Sequence, residues 1–472
     1  MRGIGQDMKR CTLLASLVSL SSLGISARAG DGTLDLTALA NYAHQPVPAY
    51  ITKNNTPANN AITDRGATLG RVLFYDKRLS RNNTIACGSC HQQAHAFGDT
   101  STASAGVAGT TGRHAMRLVN ARFATEVRFF WDERATSLEN QTTQPIQNHV
   151  EMGFSGNSGD PSFADLVTKL SAISEYRVLF TMSFGDATIT EARVQLALAQ
   201  FVRSIQSFDS KFDAGREQVG NNNAIFPNFT VAENNGKALF INAPPGGAGC
   251  AGCHRPPEFD IDPASRNNGI ITQIGGGSDL TNTRAPSLRD VVSPAGQSNG
   301  GLMHDASKAT LASVIDHYNN IPGDNANLDP RLRRPGGTQV LNLTQQQKND
   351  LAAFLRTLSG SAIYTDPRWA DPFDAEGQLP LIVLPTLAIT ITNQGNGTAL
   401  ISSKAAPSLN YLLQSSPDLK TWTTIATVNS GPTGVCTQPV TITSIAFFRY
   451  AFQPPAVESA SSRLTRVTAR RR

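Results

Sequence analysis

Cysteine is scarce, six in 472 residues, and the six sort in a way that leaves no disulfide framework. Cys11 lies in an N-terminal leader, four others form two matched pairs, and Cys436 stands alone as a small buried hydrophobe. Long apolar runs are also missing. The run from Cys11 to Ile25 is too short to span a bilayer, and no later segment approaches that length, so no membrane span is expected. Nor does the body of the chain carry an excess of positive charge. Of the net +5, the leader contributes +3 and the tail from Ser459 contributes +5 through five arginines, leaving the middle at −3. A basic balance confined to the ends gives no support to nucleic-acid binding by the folded part.

The leader has the parts of a secretory signal. Lys9 and Arg10 precede the apolar run, and Ala27-Arg28-Ala29 offers an A-x-A cleavage site before Gly30. A periplasmic or secreted protein of about 440 mature residues, in two to three domains, is the expectation.

The paired cysteines then acquire a meaning. Cys87-Gly88-Ser89-Cys90-His91 has the C-x-x-C-H spacing of a covalent haem c attachment site, the thiols bonding the haem vinyls and His91 ligating the iron. A redox or zinc C-x-x-C beside a chance histidine is the alternative for a single copy. Cys250-Ala251-Gly252-Cys253-His254 repeats the pattern 163 residues on. Two such units supply two haems more naturally than one tetrahedral zinc set.

Around these motifs the chain reads as helices and long loops. Leu69, Val72, Leu73 and Phe74 cluster just ahead of the first site, and Ser101 to Gly112 is glycine-rich and flexible by composition. Thr188 with Glu191 predicts a capping box, followed by Val194, Leu198, Phe201, Val202, Ile205 and Phe208 at helical spacing. Gly220 to Asn223 reads as a linker, Glu233 to Phe240 as a short helix, and Ile270 to Thr283 as a mobile loop. Thr344 with Gln347 caps a helix whose apolar face is Leu351, Phe354, Leu355 and Leu358, and Gly360 ends it. Beyond Pro380 the period changes to two, at Leu387 to Thr392, Tyr411 to Gln414, Val440 to Ile442 and Phe447 to Tyr450. The stretch from Tyr411 to Trp422 resembles a β-sandwich module found at the C-termini of secreted bacterial proteins.

The predicted architecture is mainly α: two c-type cytochrome domains plus a small all-β domain. The boundaries are a signal peptide at 1–29, a first haem domain at 35–218, a second at 224–362, a β-sandwich-like module at 381–455 and a basic tail at 456–472.

One further stretch bears on activity. Phe130-Trp131-Asp132-Glu133-Arg134, then Leu138, Gln141, Pro145, Ile146 and Glu151-Met152, resembles the distal pocket of the bacterial di-haem cytochrome c peroxidases and MauG. Leu73 to Ser80, Ala285 to Arg289 and Leu351 to Leu358 extend the resemblance from about Leu69 to Gly360. It implies hydrogen peroxide reduction at the first haem, with Glu151 as the acid–base group, Gln141 as its pocket partner and Trp131 as a relay between the haems. Electrons would arrive through the second haem from a small cytochrome c or similar donor. Counting from His304, Tyr318 falls where the peroxidases place a ligating methionine and MauG a tyrosine, which makes it the implied sixth ligand of the second iron, with Met303 and His317 as alternatives. Thr310 to Tyr318 reads as a helix that turns Tyr318 inward, and a core tyrosine is the other reading.

Departures from the family pattern are informative. Glu133 replaces a glycine, and the loop near Gly106 lacks the histidine that blocks some resting peroxidases. His114 and Gly301 stand where the family has an asparagine and a proline near calcium, which leaves a Ca2+ ion open. His95, His149 and His317 read as ordinary polar or partly buried histidines, and His304 as a haem-propionate or loop contact. Two rivals accompany the peroxidase reading: a MauG-like oxidase of a protein or organic substrate, and an electron carrier or peroxide sensor without turnover. The oligomeric state, a homodimer included, is not legible in the sequence.

Overall fold

The computed structural model describes residues 33–455 apart from 285, 380, 384–386 and 444–445. The expected signal peptide at 1–29 and the basic tail at 456–472 lie outside the described residues.

Ten α-helices are assigned along the described chain: α1 (Asp64–Tyr75), α2 (Cys87–Cys90), α3 (Leu138–Thr142), α4 (Phe163–Ser171), α5 (Ser174–Phe184), α6 (Glu191–Ser204), α7 (Lys211–Glu217), α8 (Val231–Ile241), α9 (Leu311–Asn319) and α10 (Gln345–Arg356). With the six short 3-10 turns they amount to 27% of the described residues, so the expected mainly-α class describes the frame around each attachment motif and not the residue count. Long connections whose Asn, Asp and Ser side chains cap their own turns fill the rest.

Two helix crossings form that frame. α1 lies across α6 so closely that a Cβ on Gly70 would be 2.0 Å from the Ala197 carbonyl oxygen. α8 lies across α10 in the same way, a Cβ on Gly236 falling 1.9 Å from the Asp350 carbonyl oxygen. One turn beyond each glycine, at i+4 on the same face, an aromatic closes the crossing. Phe74 meets Phe201 at 5.1 Å between centroids, and Phe240 meets Phe354 at 5.2 Å. Each attachment motif follows directly after its first crossing helix. Phe212 on α7 packs into the second unit's aromatic cluster with Phe226, Phe259 and Phe354.

The caps are instructive. Thr344 and Gln347 form the expected box at α10, and Thr230 with Glu233 forms one at α8. At α6 the cap is Thr190 and not Thr188, because its hydroxyl is the one that meets the Arg193 amide. Thr188 accepts a side-chain bond from Arg193 through its carbonyl instead.

After α10 the chain returns to the first unit. Tyr42, Arg71 and Tyr75 hydrogen-bond the carbonyls of Arg368, Ala370 and Trp369. Strand Thr33–Asp35 pairs in parallel with Leu381–Val383. The β-module follows as two three-stranded sheets. One is ordered Val435–Thr441, Thr398–Lys404, Ile389–Gly395, and the other Thr423–Asn429, Asn410–Ser416, Phe447–Phe452. Ile401, Tyr411, Leu413, Val428 and Cys436 fill the space between them, Cys436 being fully buried. These residues are continuous with the apolar core of the first haem unit, and Arg65 of α1 reaches the Ser408 hydroxyl.

Candidate active site

At the first motif α2 is a single helical turn with His91 at its C-cap, the His91 amide bonding the Cys87 carbonyl at 3.0 Å. The i, i+3, i+4 spacing puts both thiols and the imidazole on one side of that turn. His91 Nδ1 faces the Phe97 carbonyl at 3.2 Å, and the Met116 main chain also bears on the ring. The second motif is a tighter 3-10 turn, with Cys253 amide to Cys250 carbonyl at 3.1 Å. Its His254 Nδ1 is buried without a hydrogen-bond partner. The equivalent carbonyl, that of Phe259, is taken by the Leu288 amide.

Four free, partly buried thiols paired at three-residue spacing beside two imidazoles fit a covalently held haem at each motif. Burial lowers the basicity of both rings, His254 to about 4, so each is the neutral imidazole that iron ligation needs. Burial also pushes the Cys87 and Cys250 thiols up to about 12.

Glu151 faces the first motif. Its charge bears on both Cys87 and Cys90, burial raises its carboxyl above the usual range, and Arg134 pulls the other way. Gln141 lies on α3, ten residues earlier in a segment folded back on itself by the Gly153-to-Asn148 and Phe154-to-Ile146 bonds. Among the described residues neither the Gln141 amide nor the Glu151 carboxylate has a hydrogen-bond partner.

The stretch 101–112, expected to be flexible, is instead a hairpin, Ala105–Gly106 against Gly109–Thr110. It is stapled to Glu151 by the Val107 and Ala108 amides, which bond the carbonyls of Glu151 and Val150 at 3.0 and 3.1 Å. Position 106 must be glycine, since a Cβ there would meet the Val150 carbonyl oxygen at 2.0 Å.

Trp131 sits in the junction between the two units. Its Nε1–H donates to the His114 carbonyl at 2.7 Å, and its own carbonyl accepts from the Thr283 and Arg284 amides of the second unit. His304 lies edge-on to it at 6.2 Å. His304 makes a loop contact, its Nε2 lying 3.3 Å from the Asn282 amide. Arg113 clamps the junction by bonding Asp132 at 2.7 Å and Asp279 at 2.6 Å. The turn is kept despite Glu133: that residue adopts the left-handed conformation, φ 54°, which a glycine would take without strain. The loop 270–283 is tied at its base by Asn267 and Asn282, which both bond the Ile270 carbonyl, while Gly275 and Gly276 face open space.

Tyr318, on the last turn of α9, faces the second motif, where Cys250 and Cys253 bear on its hydroxyl. Burial raises that phenol, and the Asn268 amide at 3.2 Å opposes the rise. Met303 shares the same amide at 3.3 Å. His317 is drawn away from the iron-ligand role, because its Nε2 is held at 2.8 Å by the Asn268 carbonyl. Asn268 escaped notice in the sequence, where only an asparagine-rich turn signals it. Among the described residues no cluster of three or more His, Cys, Asp or Glu side chains suits a metal ion, and His114 Nδ1 meets the carbonyls of Ser101 and Thr102.

Comparison with known proteins locates this arrangement. Residues 64–219 match the family model described as di-haem cytochrome c peroxidase. The methylamine utilization protein MauG of Methylophilus methylotrophus is 31% identical over 317 residues, covering 65% of this chain and 86% of MauG. The cytochrome c551 peroxidase of Nitrosomonas europaea is 28% identical, covering 75% of this chain and 93% of its own. Among solved structures, a MauG-like protein associated with microbial copper homeostasis superposes with a TM-score of 0.56 at 29% identity, covering 70% of this chain and 99% of that one.

Proposed function

The chain belongs to the di-haem cytochrome c peroxidase and MauG family, whose members include oxidoreductases named as peroxidases, and from that premise we propose a periplasmic di-haem peroxidase. Hydrogen peroxide is reduced at the first haem, with electrons delivered through the second from a cytochrome c-like donor. No helix among the described residues is long and apolar enough to cross a membrane.

Cys87, Cys90 and His91 would hold the first haem and Cys250, Cys253 and His254 the second. When bound, the first iron supplies the peroxide-binding centre and the second an electron-transfer centre. The observation that carries the reading is the Glu151 carboxyl: half-buried, raised, unpartnered and beside the first pair of thiols. A carboxyl in that state can accept a proton from one peroxide oxygen and return it to the other, which is the acid–base work heterolysis requires. Gln141, equally free of protein partners, can hold the peroxide by its amide. The hairpin 105–110 fixes the Glu151 main chain through the Val107 and Ala108 amides, and Trp131 offers an aromatic bridge at the junction.

Glu151→Gln should lower steady-state peroxide turnover by about a hundredfold, with both haems retained on denaturing gels stained for haem. Turnover near the unmodified level would remove Glu151 from the mechanism. The MauG-like oxidase is the second reading, and Tyr318 beside the second motif favours it, since a phenolate donor suits high oxidation states better than a thioether.

A further inference from the structure

Beside the second attachment motif two chemically opposite iron donors converge on one amide. Asn268 Nδ2 is 3.2 Å from Tyr318 Oη and 3.3 Å from Met303 Sδ. Which end of the amide faces them is fixed, because Asn268 Oδ1 accepts from the Ile270 amide at 3.1 Å. The end presented to both side chains is therefore NH2, which can only donate. It holds the phenol oxygen and the thioether sulfur as acceptors at the same place.

The neighbours reinforce this. Asn268 is anchored to α9 by its own carbonyl, which bonds His317 Nε2 at 2.8 Å, one residue before Tyr318. Met303 stands in a loop closed by the Leu302–Lys308 bridge and is held at φ 72°, a left-handed conformation that an unbranched side chain adopts only where its surroundings impose it. A methionine at such a position, aimed at the Tyr318 hydroxyl's own hydrogen-bond donor, is not explained by core filling.

We propose that Asn268 is a positioning residue that presents Tyr318 and Met303 as alternative axial donors to the second haem and determines which of them is used. Tyr318, a hard oxygen donor, is the resident ligand of the oxidised centre, and Met303, a soft sulfur donor, stands in reserve on the same amide. The proposal rests on the reading that Tyr318 serves the second iron. Removing the phenol should hand the position to the thioether, whereas removing the amide should leave the two donors competing.

The test uses the full-length holoprotein, with low-temperature electron paramagnetic resonance, near-infrared absorption for thioether ligation, and potentiometry of the second haem. Tyr318→Phe is expected to keep that haem low-spin, acquire the thioether signature and move its potential upward. The double variant Tyr318→Phe/Met303→Leu is expected to turn it high-spin. Asn268→Leu, with Asn268→Ser as the milder change, is expected to split the single low-spin ferric signal into two populations, one with the thioether signature. A Tyr318→Phe protein that goes directly high-spin, with Met303→Leu silent, overturns the reserve role while leaving tyrosine ligation intact. An unchanged signal in Tyr318→Phe overturns tyrosine ligation itself. Asn268 variants with the unmodified spectrum and potential overturn the positioning role.

Discussion

In the first haem unit Gly70 meets Ala197 and Phe74 meets Phe201; in the second, Gly236 meets Asp350 and Phe240 meets Phe354. The frames are the same device used twice. Even the loops rejoin the closing helices alike, Asn120 bonding the main chain of Ser207 just past α6 and Asp290 accepting from the Gly360 amide just past α10. What differs is the lining. The first unit presents an unpartnered carboxyl under a stapled hairpin, and the second presents a phenol and a thioether already held by an amide. The proximal histidines differ too, His91 bonded to a carbonyl and His254 not. A hydrogen bond at Nδ1 increases electron donation from the ring, so the two sites are tuned apart from behind as well as in front. The C-x-x-C-H turn belongs to the repeated frame, and the side chains that face it belong to the loops that are not repeated.

The comparison is most severely tested at the crossings. Gly70→Val and Gly236→Val each place a side chain where a carbonyl oxygen already lies within about 2 Å of the first added carbon. Each should cost more than about 3 kcal/mol and abolish haem incorporation in its own unit. Haem content per chain and thermal melting would show it, and tolerance at one position but not the other would break the equivalence of the frames.

A smaller effect distinguishes Asp290 from its counterpart Asn120. Burial raises the Asp290 carboxyl to about 6, above the value near 3.9 expected in the unfolded chain. The folded state therefore binds that proton more tightly, and the stability associated with it is lost as pH rises from about 4 to 6. Asp290→Asn should leave stability near pH 4 almost unchanged and raise it by about 2–3 kcal/mol above pH 6. Denaturant melts across that range decide it, and a pH-independent difference would show that the carboxyl's burial is not its cause.

The smallest expected effect lies at the junction between the units. Glu133 holds a left-handed backbone at φ 54°, so Glu133→Gly should stabilise the protein by about 1 kcal/mol without altering either haem spectrum. A loss of stability would mean that the side chain's interaction with Thr283 and Arg284 outweighs the relieved strain.

Much of this was legible from spacing alone because it is local. A C-x-x-C-H turn needs no partner to be recognised, and the apolar face Leu351, Phe354, Leu355 and Leu358 is buried as its period requires. The alternation beyond Leu387 led to the two sheets, although the strands at Thr398–Lys404 and Thr423–Asn429 escaped, since serines and threonines blur the period. The loop at 101–112 was misread because glycine content reports freedom of the isolated chain. Its order comes from Val150 and Glu151, some forty residues away.

By itself, then, the sequence determined where the two C-x-x-C-H turns stand, which helices carry the apolar faces and where the β-module begins. Only the tertiary structure decided that the Glu151 carboxyl is left without a partner beside the first thiols, that His317 is tied to a carbonyl, and that Asn268 stands between Tyr318 and Met303. Attachment depends on residues three and four apart, which the helix turn brings together on any backbone that forms it. Partnering of buried polar groups depends on residues 35 to 50 apart, which nothing but the packed chain can bring to distances of 2.8 to 3.3 Å.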